Sequence, residues 1–217
     1  MLREIQDLLA QLYGIAPSLD VRDYLVTDAA LVNAWEGQGG RDVDEKLLVV
    51  QSPDAIELAL FLEPRLLERL EAVNPLQSLD RDSLADFCLV LEGVSHFVYL
   101  TWNAAADRCV TRLELEMQAE VDKYVSARTL LNQPCRTVSA DDLLSVLFDE
   151  PKFHDSLSVQ ELERYEHATR FASWYCRSLE ARFAAGLPDD SMLKEIRTFY
   201  RLPQADKLSH IHSTAYG

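Results

Sequence analysis

Glycine and proline, the two residues that most often interrupt regular structure, are scarce in this chain. Its 217 residues include only 7 glycines and 8 prolines. Because these residues mark turns, their scarcity disfavours a fold of many short strands and favours long helices. The length suits one domain, or a domain with a small appended part. A mainly helical protein is therefore expected.

Cysteine pairs at metal-binding or redox spacing are also lacking. Cys88, Cys109, Cys135 and Cys176 lie far apart and form no C-x-x-C motif. Cys88 and Cys176 stand among apolar residues, as reduced cysteines of a protein core do. The opening segment "MLREIQDLLA" lacks the basic stretch and apolar run of a secretory signal. These features predict a cytoplasmic protein.

Positive charge and long apolar runs are scarce as well. Lysine and arginine total 21 against 36 aspartates and glutamates, which gives a formal net charge of −15. Phosphate groups of nucleic acids and of anionic lipids repel such a chain. The longest apolar run, "VSHFVYL", is shorter than the roughly 20 residues that span a bilayer. We therefore expect protein or small-molecule partners, and neither nucleic-acid nor membrane binding.

Apolar spacing predicts helices and one hairpin near the N-terminus. Apolar residues at intervals of three and four predict a first helix that ends at Gly14, and a second helix is expected within Asp20–Trp35. Two runs rich in Leu, Val and Ile flank the turn-forming "SPDA". They predict a β-hairpin of Lys46–Gln51 and Ile56–Leu62. Pro64 suits the first position of a further helix.

The remainder of the chain is predicted to be helical. The expected helices cover 83–103, 110–131, 139–148 and 158–184, and a last one runs from Asp190 or Ser191 to about Leu202. The fold class is therefore mainly α (α+β). An N-terminal part with the hairpin, residues 1–75, is expected to join a helical bundle, residues 76–217, in one continuous domain.

The stretch "LEGVSHFVYL" places an ionisable pair inside the most apolar predicted helix. Glu92 and His96 are four residues apart and so share a helix face. Apolar side chains cover nearly every side of this helix, which indicates a position in the middle of a bundle. Buried charges need partners, so neighbouring elements should supply them.

The next predicted helix offers such partners. Glu116 and Glu120 lie within its apolar stripe, where surface glutamates are not expected. If the two helices are antiparallel neighbours, His96 lies level with Glu116 and Glu92 lies level with Glu120. Glu163 and His167 on a third predicted helix are further candidates.

Two interpretations of this polar cluster stay open. Carboxylates and imidazoles from facing helices are the ligands of di-iron and di-manganese sites, although the chain lacks the paired Glu-x-x-His motifs of ferritin-like bundles. The alternative is a network of hydrogen bonds and ion pairs that satisfies itself, which is the commoner fate of buried polar groups. We favour the network.

Aromatic and arginine side chains near the C-terminus suggest an interaction surface. Trp174, Arg177, Tyr200 and Arg201 are of the residue types that dominate binding hot spots. At helical spacing, aromatic residues also form cores. We predict that some of these four residues form an exposed, contiguous partner-binding surface.

The sequence contains no nucleophile motif, dinucleotide fingerprint, zinc pattern or calcium loop. We therefore name no catalytic residue and no cofactor. The expected function is that of a non-catalytic interaction protein or an accessory subunit of a larger assembly, self-association included. The alternative is a carboxylate-bridged dimetal oxidase or metal-binding enzyme that uses Fe or Mn.

Overall fold

Helices form most of the structure. A computed structural model describes residues 1–36, 43–52, 55–131, 140–151, 153–183 and 189–215. Within these ranges the helices are α1 (Leu2–Tyr13), α2 (Ala29–Glu36), α3 (Pro64–Ala72), α4 (Arg81–Ala104), α5 (Arg112–Leu131), α6 (Ala140–Phe148), α7 (Val159–Arg182), α8 (Asp190–Arg201) and α9 (Gln204–Ala215). The strands are β1 (Leu25–Val26), β2 (Glu45–Gln51) and β3 (Ile56–Leu62). The prediction of a mainly α protein with a small β element is confirmed.

The sheet contains the predicted hairpin and one additional strand. β2 and β3 are antiparallel, with Leu47 opposite Leu60, and the strand order is β1-β3-β2. β1 pairs with β3 in parallel. The helix expected within residues 20–35 is present as α2, although a 3₁₀ turn at Val21–Tyr24 and β1 precede it and the helix begins only at Ala29. A strand of two residues is too short to show any periodicity.

The sheet lies between two helices. Leu60 and Leu62 of β3 belong to the main apolar core together with α4, whereas Ala59 and Phe61 pack with Val32 of α2 in a small second cluster. The alternation of side chains along β3 produces this division. The main core contains residues of both the N-terminal part and the helical bundle.

Helices α4 and α5 pack against each other in antiparallel orientation. Ser95 donates a hydrogen bond of 2.6 Å to Asp122, and Tyr99 donates one of 2.5 Å to Glu114. Residue numbers therefore rise along α4 as they fall along the facing side of α5. The predicted register of these two helices is confirmed.

By length and composition alone, α4 resembles a membrane span, the one helix among the described residues to do so. Its most apolar window has a mean hydropathy of 1.4. However, 67% of that window is buried inside the protein. A helix at the centre of a globular core has the same composition.

The helix predicted from Asp190 or Ser191 to about Leu202 is confirmed as α8, but it is not the last helix, because α9 follows from Gln204 to Ala215. Pro203 lies between the end of α8 and the start of α9. Proline also suits the start of a helix, where the missing amide hydrogen would have no partner. Ile211 on α9 is fully buried.

A closed polar network joins α9 to α1, α4 and α5. The buried Lys207 ammonium donates to the Gln118 carbonyl oxygen, and the Gln118 amide donates to Asp122 over 2.7 Å. Ser95 and Tyr13 also donate to Asp122. Burial raises the pKa of Asp122 to about 6 and lowers the pKa of Lys207 to about 7. Because Asp122 accepts three hydrogen bonds, this network is satisfied by the protein itself.

The C-terminus of α1 is held by arginines of α8. Arg197 donates hydrogen bonds to the carbonyls of Gln11 and Leu12, and Arg201 donates to those of Tyr13 and Gly14. Gly14 ends the helix in the left-handed conformation, with a φ of 57°. A side chain at this position would have its Cβ 3.2 Å from the Arg197 guanidinium.

We expect Gly14→Ala to lower the free energy of unfolding by about 1–2 kcal/mol, because a Cβ in the left-handed conformation is strained. Gly14→Asn is the matched control and should cost less, since asparagine tolerates this conformation. Urea unfolding measures both values. Equal stabilities for the alanine variant and the wild type would contradict the assignment of Gly14 as the helix terminator.

Candidate functional site

Seven ionisable side chains from four elements meet on one side of α4. Their positions are Glu45 on β2, Glu92 and His96 on α4, Glu116, Glu120 and Lys123 on α5, and Arg164 on α7. We call this set the Glu/His cluster. Four of its members, Glu92, His96, Glu116 and Glu120, were predicted from the sequence.

His96 lies at the deepest part of the Glu/His cluster. Its side chain is 7% exposed, and Nε2 is 3.4 Å from Oε2 of Glu116. The alignment of these atoms does not make a hydrogen bond, so Nε2 has no hydrogen-bond partner among the described residues. Arg164 approaches the other Glu116 oxygen to 3.9 Å, again without a hydrogen bond. This part of the cluster is therefore incompletely satisfied.

Lys123 is the best-satisfied member of the cluster. Its ammonium is 2.6 Å from Oε2 of Glu92 and 2.6 Å from Oε1 of Glu120. Burial acts to raise the pKa of Glu92, but the charges of Lys123 and His96 outweigh it and lower that pKa. Burial raises the pKa of Glu120. One ammonium thus bridges carboxylates of two facing helices.

Glu45 reaches the cluster because β2 packs closely on α4. Its Oε1 atom is shielded from solvent and has no hydrogen-bond partner within the described ranges. The close approach depends on Gly93, where a Cβ would lie 2.7 Å from Cδ1 of Leu60 and 2.8 Å from Oε1 of Glu45. Glycine therefore provides the space in which the Glu45 carboxyl lies.

The Glu45, Glu92 and His96 side chains form the most compact part of the cluster. One potential ligand atom from each lies within 4.8 Å of the other two. Burial raises the pKa of Glu45 to about 8, and the Glu92 carboxylate adds to this shift. Burial alone would lower the pKa of His96, but the Glu116 carboxylate outweighs it and raises that pKa to about 9. Both groups thus keep, at neutral pH, protons that ordinary glutamate and histidine side chains have mostly released.

Two predicted members of the cluster lie elsewhere. Glu163 and His167 are exposed on α7, and the same helix directs Arg164 toward Glu116 instead. The prediction that they join Glu92 and His96 is wrong. The sequence shows that the α7 residues are helical, but it does not show the rotation of this helix about its own axis.

Sequence reasoning missed Glu45 and Arg164. The predicted strand began at Lys46, whereas β2 begins one residue earlier. Glu45 and Leu47 point to the same face of the strand because side chains alternate. Leu47 packs on the main core, so a glutamate on that face was an available signal. No comparable signal distinguished Arg164.

Of the four residues predicted to form a partner-binding surface, Tyr200 is buried, whereas Trp174 is half-buried and Arg177 and Arg201 are exposed. Tyr200 is only 1% exposed and stacks on Tyr13 with ring centroids 4.0 Å apart, which corrects the prediction of an exposed side chain. Arg201 is exposed, but its guanidinium holds the end of α1. Trp174 is half-buried, and Arg177 pairs with Asp149 over 2.6 Å. Tyr200, Arg201 and Arg177 thus contact residues in other parts of the same chain.

No family model matches this chain, and comparisons with curated proteins and with solved structures found no match either. The chemistry of the Glu/His cluster therefore has to follow from its own geometry.

Substituting Glu45 by glutamine should change how stability depends on pH. Because the pKa of Glu45 is raised to about 8 in the folded protein, the folded state holds a proton that the unfolded chain releases. The contribution of Glu45 to the free energy of unfolding is then lost as the pH rises toward 8. Glutamine cannot titrate, so Glu45→Gln should gain stability relative to wild type between pH 5 and 8, by at most about 1.4 kcal/mol per pH unit.

Urea unfolding at several pH values in a chelating buffer measures this difference. Glu163→Gln is the matched control, because it makes the same substitution at an exposed glutamate outside the Glu/His cluster. A constant stability difference for Glu45→Gln across this pH range would show that Glu45 is not held protonated in the folded protein.

Proposed function

We propose that this protein binds one divalent metal ion, Fe²⁺ or Mn²⁺, through Glu45, Glu92 and His96. The observation that carries the proposal is the convergence of these three side chains within 4.8 Å. His96 is 6% exposed, and its Nε2 atom lacks a hydrogen-bond partner among the described residues. A buried imidazole nitrogen without a hydrogen bond costs stability unless something binds it.

The donor types suit such an ion. Carboxylate oxygens favour Mn²⁺, and imidazole is a common ligand of iron and other transition metals. At bond lengths of about 2.0–2.2 Å, two donors on opposite sides of an ion are about 4.2 Å apart. A maximum separation of 4.8 Å requires only a small movement of flexible side chains. Three protein ligands would leave coordination positions for water or a substrate.

The charge of the Glu/His cluster also suits one divalent ion. Four carboxylates face two permanently cationic side chains, Lys123 and Arg164. A histidine that binds metal is neutral, and carboxylate ligands are ionised. The remaining excess is then two negative charges, which one divalent ion neutralises. Glu92 is 17% exposed and Lys123 12%, so the cluster lies close to the surface.

Metal content and thermal stability test this proposal. After loading with Mn²⁺ and desalting, the wild-type protein should retain about one ion per chain and unfold at a higher temperature than the chelated protein, because a ligand of the folded state stabilises it. Glu45→Gln and His96→Ala should lose both effects. Glu45→Gln preserves the shape of the neutral carboxyl, so its loss of binding would not reflect misfolding.

Glu163→Gln and His167→Ala are the matched controls, since both positions are exposed on α7. They should retain the ion and the stabilisation. Wild-type protein that retains no Mn²⁺ or Fe²⁺ and shows no change in unfolding temperature would refute the proposal.

A second candidate is protein interaction, as an accessory subunit or by self-association. Its support is the apolar edge of the sheet. Strand β2 is an edge strand, and within the described residues its outer side pairs with no strand. Val49, Val50 and Ile56 are 45%, 41% and 43% exposed near the end of the hairpin where Gln51 pairs with Ile56. Apolar edge strands readily pair with another strand, including the same strand of a second copy across a two-fold axis.

We expect wild-type protein to self-associate with increasing concentration and Val50→Lys to remain monomeric, because a lysine on an edge strand opposes pairing. Val73→Lys is the control, since Val73 is equally exposed but lies at the end of α3. Light scattering coupled to size-exclusion chromatography measures the mass of each. A wild-type monomer at every concentration would exclude self-association through β2.

We also propose that this protein is located in the cytoplasm. Its support is the presence of buried, unpaired thiols at Cys88 and Cys176, which fits a reducing compartment. Cys135 lies outside the described residues.

A further inference from the structure

We infer that the Lys123 ammonium occupies the position of a second cation and so limits the Glu/His cluster to one metal ion. The inference rests on the proposed function, because it concerns the stoichiometry of the same site. Lys123 would thus determine how many metal ions the Glu/His cluster binds.

The geometry around Lys123 is that of a bridging cation. Its nitrogen lies 2.6 Å from one oxygen of Glu92 and 2.6 Å from one oxygen of Glu120, on facing helices. Glu92 is also a member of the compact group formed with Glu45 and His96. The Glu92 carboxyl group thus contacts the ammonium and also belongs to the proposed metal site. Carboxylate-bridged centres place two metal ions in this relation.

The elements around the ammonium explain why no second ion is expected beside it. Glu120 is three residues before Lys123 on α5, so the helix itself places the two side chains together. A second divalent ion would need the same carboxylate oxygens that the ammonium contacts. It would also be repelled by the positive charge of Lys123 at short range. Removing the lysine side chain frees those oxygens and leaves two carboxylates that face each other.

Metal stoichiometry of Lys123→Ala tests the inference. With Mn²⁺ in excess, followed by desalting, the wild type should retain about one ion per chain and Lys123→Ala about two. The electron paramagnetic resonance spectrum should change from that of isolated Mn²⁺ to that of a coupled pair. Without metal, Lys123→Ala should be less stable than wild type, because Glu92 and Glu120 then repel each other. Mn²⁺ should raise its unfolding temperature more than that of the wild type.

Two control variants separate this effect from a general change in charge. Lys194→Ala removes an exposed lysine of α8 and should still bind one ion. The double variant Lys123→Ala/Glu120→Gln removes the ammonium together with one of the carboxylates that would hold the second ion. It should also bind one ion.

The outcomes distinguish this inference from the proposed function. Wild-type protein without bound metal would refute the proposed function and the inference with it. One ion in wild type and one in Lys123→Ala would refute the inference alone. A Lys123→Ala protein that stays unfolded in excess Mn²⁺ would also refute it, because a metal ion in the lysine position should replace the lost charge and restore the fold.

Discussion

The burial of α4 is the constraint on which the rest of the structure depends. This helix is apolar on nearly all sides, so every side must be covered by another element. The sheet covers one side, with Gly93 allowing close contact, and α5 covers another. The remaining helices complete the core around this pair. The few polar side chains of α4 are thereby buried too, and their partners must come from whichever elements cover them.

Two polar networks along α4 and α5 meet this demand in different ways. Around Asp122, hydrogen-bond donors from three elements satisfy the carboxylate, and the network extends to Lys207 on α9. Around His96, an imidazole nitrogen and a Glu45 oxygen lack hydrogen-bond partners among the described residues. Each such buried group costs about 1–3 kcal/mol. A fold that closes one network fully and leaves its neighbour incomplete supports a binding role for the incomplete one.

The Glu/His cluster also explains why a dimetal pattern and an ion-pair network both fitted the sequence. Lys123 and Arg164 supply ion pairs to the cluster, whereas Glu45, Glu92 and His96 are the ligands in the proposed metal site. The two interpretations thus apply to neighbouring parts of one cluster. The proposed single metal ion beside the Lys123 ammonium would combine the two interpretations. The proposed self-association through the β2 edge involves Val49 and Val50, which are not ligands of the proposed metal site, so both proposals can hold together.

The sequence by itself determined most elements of this protein, though not β1 or α9, and it determined the pairing of α4 with α5. Periodicity located the hairpin and the long helices, because apolar spacing records which local structure buries a side chain. The short connection between α4 and α5 made them antiparallel, which predicted His96 beside Glu116. The tertiary structure alone decided which further side chains joined them. It brought in Glu45 and Arg164 and left Glu163 and His167 exposed. The physical reason is that local periodicity defines the faces of each element, whereas the rotation and depth at which β2 and α7 pack on α4 and α5 result from the whole core.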